Sequence, residues 1–389
     1  MTGLYYGNLA DRTVLCRYLV LSRTFLLYAI TSLYTCRSLY RIFLKWSNHS
    51  INPMEGVDLE YLVMCGWQFQ SVMSMTFLLY WQYHGVTKFI IEHIVVPKAR
   101  EGKCCPVYVV LRRTMIRWLM IAILMTSCFG ATICVDNVQK ILLSGKSIFE
   151  PMLGLHPLDF LYRTIAIYGI GVWNFVLCFF VVVIRSLSLE LRDFNRVFAD
   201  LLRDKPLYSL EVERKSEKLA EKLLLAFAAH NRLAKKIRKT DKCFQSYTFA
   251  MMAVGTPMTI FALITLIRRK SWMGLLYSVH DVICCTVHLI GFTVVPAGIY
   301  TEFRAIQTQL YKNTAIWKEY NLKLYQIARM FTENVSQSDI GISIGGFITI
   351  TKSLVLTCLS LVIPYVILCL QLNIGASNTL YRSVNNSTI

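Results

Sequence analysis

Six stretches of the chain carry no charged side chain across their apolar cores: 61–87, 118–135, 164–184, 243–267, 282–301 and 353–372. A bilayer is crossed by roughly 20 apolar residues in a helix. Each stretch is therefore read as a membrane-spanning helix, because backbone polar groups in lipid must find their partners within the segment itself. A seventh stretch, 18–43, precedes them; Arg23, Arg37 and Arg41 shorten its apolar core, but arginines near helix ends reach the interface along their apolar stems. The expected fold class is all-α, a polytopic membrane protein of seven transmembrane helices.

Between spans four and five the apolar positions change period without disappearing. Leu191, Phe194, Phe198, Leu201 and Leu202 form one stripe at helical spacing. After Pro206, Leu219, Leu223, Ala226, His230, Leu233 and Ile237 form a second. The charges of 213–222 fall largely between these positions, as on a solvated helix face. Beyond span six, Phe303, Ile306, Leu310, Asn313, Trp317, Tyr320, Leu324, Ile327 and Phe331 recur at alternating steps of three and four. That is a heptad seam, suited either to packing on its own subunit or to contact with another, with Asn313 a polar residue able to set register.

Seven spans put the termini on opposite sides, and the distribution of Lys and Arg sets the orientation. With the N-terminus inside, 31 of the 41 basic residues lie in inside segments and 10 outside. The expected topology has a cytoplasmic N-terminus and an extracellular C-terminus, with the first span acting as its own signal anchor. The sequons at Asn48, Asn385 and Asn386 then fall outside as glycosylation candidates, while the one at Asn334 falls inside. This orientation is opposite to that of G-protein-coupled receptors, and the Asp-Arg-Tyr and Asn-Pro-x-x-Tyr motifs are also missing at the ends of the third and seventh spans.

Composition agrees: 55% of the 389 residues are hydrophobic and 16% charged, below the roughly 25% usual in soluble domains. The formal charge of +18 belongs to cytoplasmic loops on this reading, and no nucleic-acid partner is expected. The 13 cysteines lie mostly in apolar runs or beside basic clusters and make no disulfide framework; Cys104 and Cys105 are palmitoylation candidates. There is no Gly-x-Ser-x-Gly, phosphate-cradling loop or His-Glu-x-x-His, so no enzyme and no cofactor are expected. Nor is there the internal repeat typical of transporters.

Polar residues at membrane depth usually face a bundle interior or a water-filled cavity. In the sixth span Asp281, Cys284, Cys285 and His288 share a helical face, yet one face is a poor source of a metal site, and none is expected. The outer halves of neighbouring helices instead offer a small-molecule pocket with aromatic walls and a few directional groups: Tyr277, His280, Asp281 and His288, with Trp67, Gln70, Tyr168, Trp173 and Thr259. Asp281 is its principal polar group, or else pairs with Arg163.

The last span reads Pro364-Tyr365-Val366-Ile367-Leu368-Cys369-Leu370-Gln371-Leu372. This resembles the C-terminal signature of insect gustatory receptors, Thr-Tyr, five hydrophobic residues, Gln-Phe; tyrosine, spacer and glutamine are in register, and Pro364 and Leu372 replace the flanking Thr and Phe. Gly345-Gly346-Phe347 and Lys352 resemble that family's entry into the helix. The resemblance implies a plasma-membrane chemoreceptor of a sensory neuron, a homo- or hetero-tetrameric ligand-gated cation channel opened by a small tastant. It implies helices 1–6 over 1–300 with cytoplasmic extensions at about 187–242, anchor helices over 301–352, a pore-lining helix over 353–373 and an extracellular tail over 374–389. Tyr365, Leu368, Gln371 and Leu372 become the pore and gate residues; an amide can rotate towards a cation, and an apolar ring can close a pore by dewetting. An odorant receptor channel is the alternative within the class, and a transporter or a pore-less seven-helix receptor the alternative outside it.

Overall fold

The computed structural model describes residues 14–47, 56–90, 106–143, 157–203, 212–269, 272–313, 316–317, 322–337 and 339–386. They fold into nine helices and one small hairpin: α1 Val14–Ser47, α2 Gly56–Tyr83, α3 Val86–Ile90, α4 Pro106–Leu143, α5 Pro157–Arg203, α6 Val212–Arg268, α7 Trp272–Lys312, α8 Leu322–Gln337, β1 Ser343–Ile344, β2 Ile348–Thr349 and α9 Lys352–Asn386. Among the described residues, α2, α4, α5, α6 and α7 are long and apolar enough to cross a membrane, and α9 adds a shorter apolar run, Lys352–Leu368. α1 covers the expected first span but is not one of the five.

Helix lengths explain the shape. At 1.5 Å per residue, the 57 residues of α6 reach about 85 Å, nearly three times the hydrocarbon thickness of a bilayer. Only its half over 243–267 is apolar, and the charged half projects beyond. α5 and α7 continue past their apolar segments at the same end, and α8 packs there on α6 and α7. This is the extended end of the bundle.

Hydrophobic transfer does not drive helix association inside lipid, so close contact and internal hydrogen bonds must hold the apolar segments together. Trp81, buried on α2, meets Phe244 at 4.8 Å and Tyr247 at 5.2 Å on α6, and donates its indole N–H to the Cys243 carbonyl at 3.0 Å. Phe180 of α5 and Phe292 of α7 complete that aromatic centre. Gly291 lets α7 approach α5, since a Cβ there would lie 2.8 Å from a Leu177 methyl. Buried threonines return their hydroxyls to the carbonyl one turn back, as at Thr248, Thr259 and Thr293. Further cross-helix bonds among the described residues include Tyr28 with Thr76, Gln68 to the Tyr34 hydroxyl, and Asn174 to Thr126. Much of α4 faces outward, with Met120 and Leu124 over 60% exposed, as suits a lipid-facing helix.

At the extended end Phe194, Phe198, His230, Phe303 and Phe331 interlock, the His230 ring 4.3 Å from that of Phe303. Lys236 pairs with Glu190 at 2.8 Å, and Asn195 donates to the Glu302 carbonyl. The heptad seam does not run through one straight helix. α7 ends at Lys312 and α8 begins at Leu322, so Phe303, Ile306, Leu310, Leu324 and Phe331 are all buried within this chain's own core. Asn313 donates to the Leu202 carbonyl at the end of α5, and the Trp317 indole to the Leu310 carbonyl at the end of α7. Both side chains satisfy terminal carbonyls that a continuous helix would not leave open.

Three boundaries differ from expectation. The second span stops at Tyr83 instead of reaching residue 87, because Gly85 adopts φ +66° and starts the short α3. Residues 343–349 form a hairpin, with Gly345 and Gly346 at φ +64° and +80°, a left-handed pair that only glycine adopts at little cost. Asp241 of α6 fixes it, accepting the Ser343 N–H at 2.6 Å and the Ser343 hydroxyl at 2.9 Å. α9 runs on to Asn386, so residues read as a tail have helical backbone. Pro257, Pro296 and Pro364 all lie inside continuous helices.

Candidate ligand cavities and an uncovered helix

Two small cavities lie among the apolar segments, towards the end opposite the extensions. The first is bounded by Thr31 and Tyr34 of α1, Trp67, Gln68 and Ser71 of α2, Phe129 of α4, and Ile165, Gly169 and Ile170 of α5. The second is bounded by Gln70 of α2, Trp173 of α5, Met251, Met252, Gly255 and Met258 of α6, and Cys285, His288 and Phe292 of α7. Each has a volume of about 10 Å³, roughly one water molecule's room. A larger guest must move side chains to enter.

A run of aromatic rings separates the two. His280 sits 6.1 Å from both Phe129 and Trp67. Trp67 in turn lies 6.1 Å from Trp173, which stacks on His288 at 3.7 Å with 20° between the planes. Five residues from four helices thus form one wall. His288 Nδ1 is 2.8 Å from the Cys284 carbonyl; a carbonyl only accepts, so Nδ1 carries the hydrogen and Nε2 of the neutral ring is an acceptor. Nε2 of His288 and Nε1 of Trp173 are both buried without a partner. Leaving such atoms unmet costs about 1–3 kcal/mol each.

The residues singled out from sequence fall into three groups. Trp67, Gln70, Trp173, His280 and His288 converge on the cavities or on the wall between them. Asp281, Tyr168 and Thr259 line neither cavity: Asp281 lies 3.6 Å from His280 Nδ1, Tyr168 packs half-buried on the core, and the Thr259 hydroxyl is committed to the Gly255 carbonyl. The side chains of Tyr277, Arg163, Leu372, Asn385 and Asn386 lie outside the described ones, as does the whole of Asn48. Sequence reasoning missed Met251, Met252 and Met258. Their clustering within eight residues of an apolar helix was the available signal, since flexible thioethers suit a wall that must yield.

Among the described residues, α9 is packed along one edge. Val355, Val362 and Val366 are buried, the latter two packed with Ile264 of α6. Leu356, Ile363, Tyr365, Ile367 and Leu368 are all at least 48% exposed, and Gln371 is exposed as well. At about 100° per residue, Ser353, Thr357, Ser360, Pro364, Leu368 and Gln371 fall on one face, opposite the packed edge. Thr357 and Ser360 return their hydroxyls to the helix. Tyr365 sits about 100° round from that polar face, between it and the packed side.

No known protein-family profile matches the chain, and no curated protein matches it. Among solved structures it is similar to the insect olfactory receptor OR5 from Machilis hrabei in complex with eugenol, with a TM-score of 0.67 and 10% sequence identity over 95% of this chain and 92% of that one. It is similar to another structure of the same receptor with a TM-score of 0.66, at the same identity and coverage. At that identity the likeness is one of fold: the chain is folded as an insect olfactory receptor is.

Proposed function

We propose that the chain is a subunit of a ligand-gated cation channel, an insect chemoreceptor of the gustatory type in the plasma membrane of a sensory neuron. The observation that carries this reading is α9, an apolar helix with most of its surface uncovered among the described residues and a stripe of Ser, Thr and Gln facing away from its packed edge. Lipid gives no reason to gather those residues on one face. Four copies around an axis would turn the stripes towards a shared, wet path for cations and bury the flanks between neighbours. Gln371 and Leu368 would line it, Tyr365 would lie at the contact between copies, and Leu372 would add an apolar constriction near Gln371.

The seven spans, with the N-terminus and the extended end in the cytoplasm, follow from the Lys and Arg distribution. A small tastant would enter the cavities among α1, α2, α5, α6 and α7 and change how α6 and α7 support α9. The C-terminal signature favours taste; the structural neighbours are olfactory receptors, which favours an odorant-gated channel as the second reading. Whole-cell recording from heterologous cells expressing the chain, with and without candidate co-subunits, tests the common claim. A ligand-evoked cation current whose selectivity shifts in Gln371→Glu is expected. Uptake of a ligand with no conductance would defeat it in favour of a transporter.

A further inference from the structure

Of the two cavities, the second has a chemical bias that its apolar walls conceal. It is lined by three methionines, Leu289 and Phe292, yet one side is the stacked pair of Trp173 and His288. Both rings are at least 96% buried, as is Gln70 beside them. Trp173 Nε1 is a donor and His288 Nε2, with its hydrogen placed on Nδ1 by the Cys284 carbonyl, is an acceptor; neither has a partner among the described residues. An unmet donor and an unmet acceptor on two stacked rings define a complement: a group that both gives and receives a hydrogen. The stack fixes both ring planes, so the pair is preorganised and a guest need not order it.

We infer that this cavity is a binding site for small alcohols and phenols, whose hydroxyl donates to His288 Nε2 and accepts from Trp173 Nε1–H, with the hydrocarbon part received by Met251, Met252 and Met258. The inference rests on the proposal that the chain binds a small molecule among these helices, and it narrows the ligand class. Methionine side chains change rotamer easily and make favourable contacts with aromatic rings, so they are the wall that yields as the cavity enlarges. A hydroxyl repays the opening by pairing two atoms that the closed cavity leaves unmet. An ether of the same size meets only Trp173, and a hydrocarbon meets neither.

The test uses three probes of equal heavy-atom count: phenylethyl alcohol, its isomer benzyl methyl ether, and propylbenzene. They are applied to the full chain in heterologous cells and, separately, to the detergent-purified protein in a thermal-shift binding assay. The expected order of potency is alcohol, ether, hydrocarbon, with about five- to tenfold between neighbours, the effect of one neutral hydrogen bond. In His288→Phe, which keeps a ring against Trp173, the alcohol falls to the potency of the ether while the ether is unchanged. In Trp173→Phe both oxygen-bearing probes lose potency and propylbenzene does not. Equal potency of all three in the unaltered protein overturns the inference even if the variants do not fold, and leaves the channel proposal standing. Thermal shifts in the expected order without any current would keep the site and sink the channel. No shift with any probe would sink the site.

Discussion

His230 is a buried histidine with no polar partner of good geometry, and the consequence can be measured. Its ring lies in the aromatic core of the extended end, between Phe194 of α5, Phe303 of α7 and Phe331 of α8, with both nitrogens unmet. Burial lowers its pKa to about 4, opposed in part by the backbone at Phe303. A histidine free in the unfolded chain titrates near 6.5. Between those values the unfolded state takes up a proton and the folded state does not, so stability is full above about pH 6.5 and falls as the pH drops towards 4. With a folded value of about 4, linkage puts the loss at about 2 kcal/mol by pH 5, one unit of pKa being 1.36 kcal/mol. Replacement by phenylalanine removes the titration and two unmet nitrogens together. The assay is the apparent Tm of purified protein in detergent at about pH 7.5 and about pH 5, for the unaltered chain and for His230→Phe. Carboxylates elsewhere titrate equally in both, so the difference isolates His230. The variant is expected to be at least as stable at the higher pH and to lose a few degrees less on acidification. An equal loss in both proteins would refute the reasoning.

Other positions make independent claims. Asp241→Ala removes the acceptor of the Ser343 N–H and hydroxyl and should cost about 2–3 kcal/mol, the scale of charge-assisted bonds, with faster proteolysis of the hairpin as its readout. Gly346→Val places a branched side chain at φ +80° with its Cβ 3.1 Å from the Gln245 amide oxygen; a loss of at least about 1–2 kcal/mol in unfolding measurements is expected, against near-neutrality for Gly130→Ala, where φ is ordinary and the added Cβ would meet nothing closer than 3.9 Å. Asn313→Leu leaves the Leu202 carbonyl at the end of α5 unmet and should lower stability by about 1–3 kcal/mol, where an exposed polar residue such as Lys323 would tolerate leucine.

The apolar segments were legible because lipid leaves a helix few alternatives, and uncharged runs of sufficient length mark where it must lie. The heptad seam was legible as a pattern but not as a fold. Alternating steps of three and four say only that one side is buried. It took the turn at Asn313 and the fold-back of α8 to show that the seam is buried within its own chain. The hairpin at Ser343–Thr349 escaped because two-residue strands carry no period, although Gly345-Gly346 held the turn signal. In the cavities, Trp173 and His288 could be placed at a common depth from their positions in two spans, whereas Asp281, the most conspicuous polar residue, is turned towards His280 and away from both spaces. Helical phase a few residues off decides such cases, and only packing fixes the phase. On α9 the polar stripe was present in the sequence as Thr357, Ser360 and Gln371. Its meaning depends on Val362 and Val366 packing on the opposite side.

The central claim is that the uncovered face of α9 borders a conduction path. The most direct measurement is cysteine substitution along that helix, in a background stripped of reactive native thiols, with ligand-evoked current recorded before and after a membrane-impermeant cationic methanethiosulfonate. Block is predicted for Ser360→Cys, Leu368→Cys and Gln371→Cys, and none for Val362→Cys or Val366→Cys. If the first three remain conducting and unmodified while the channel is open, α9 faces something other than the ion path, and the account fails.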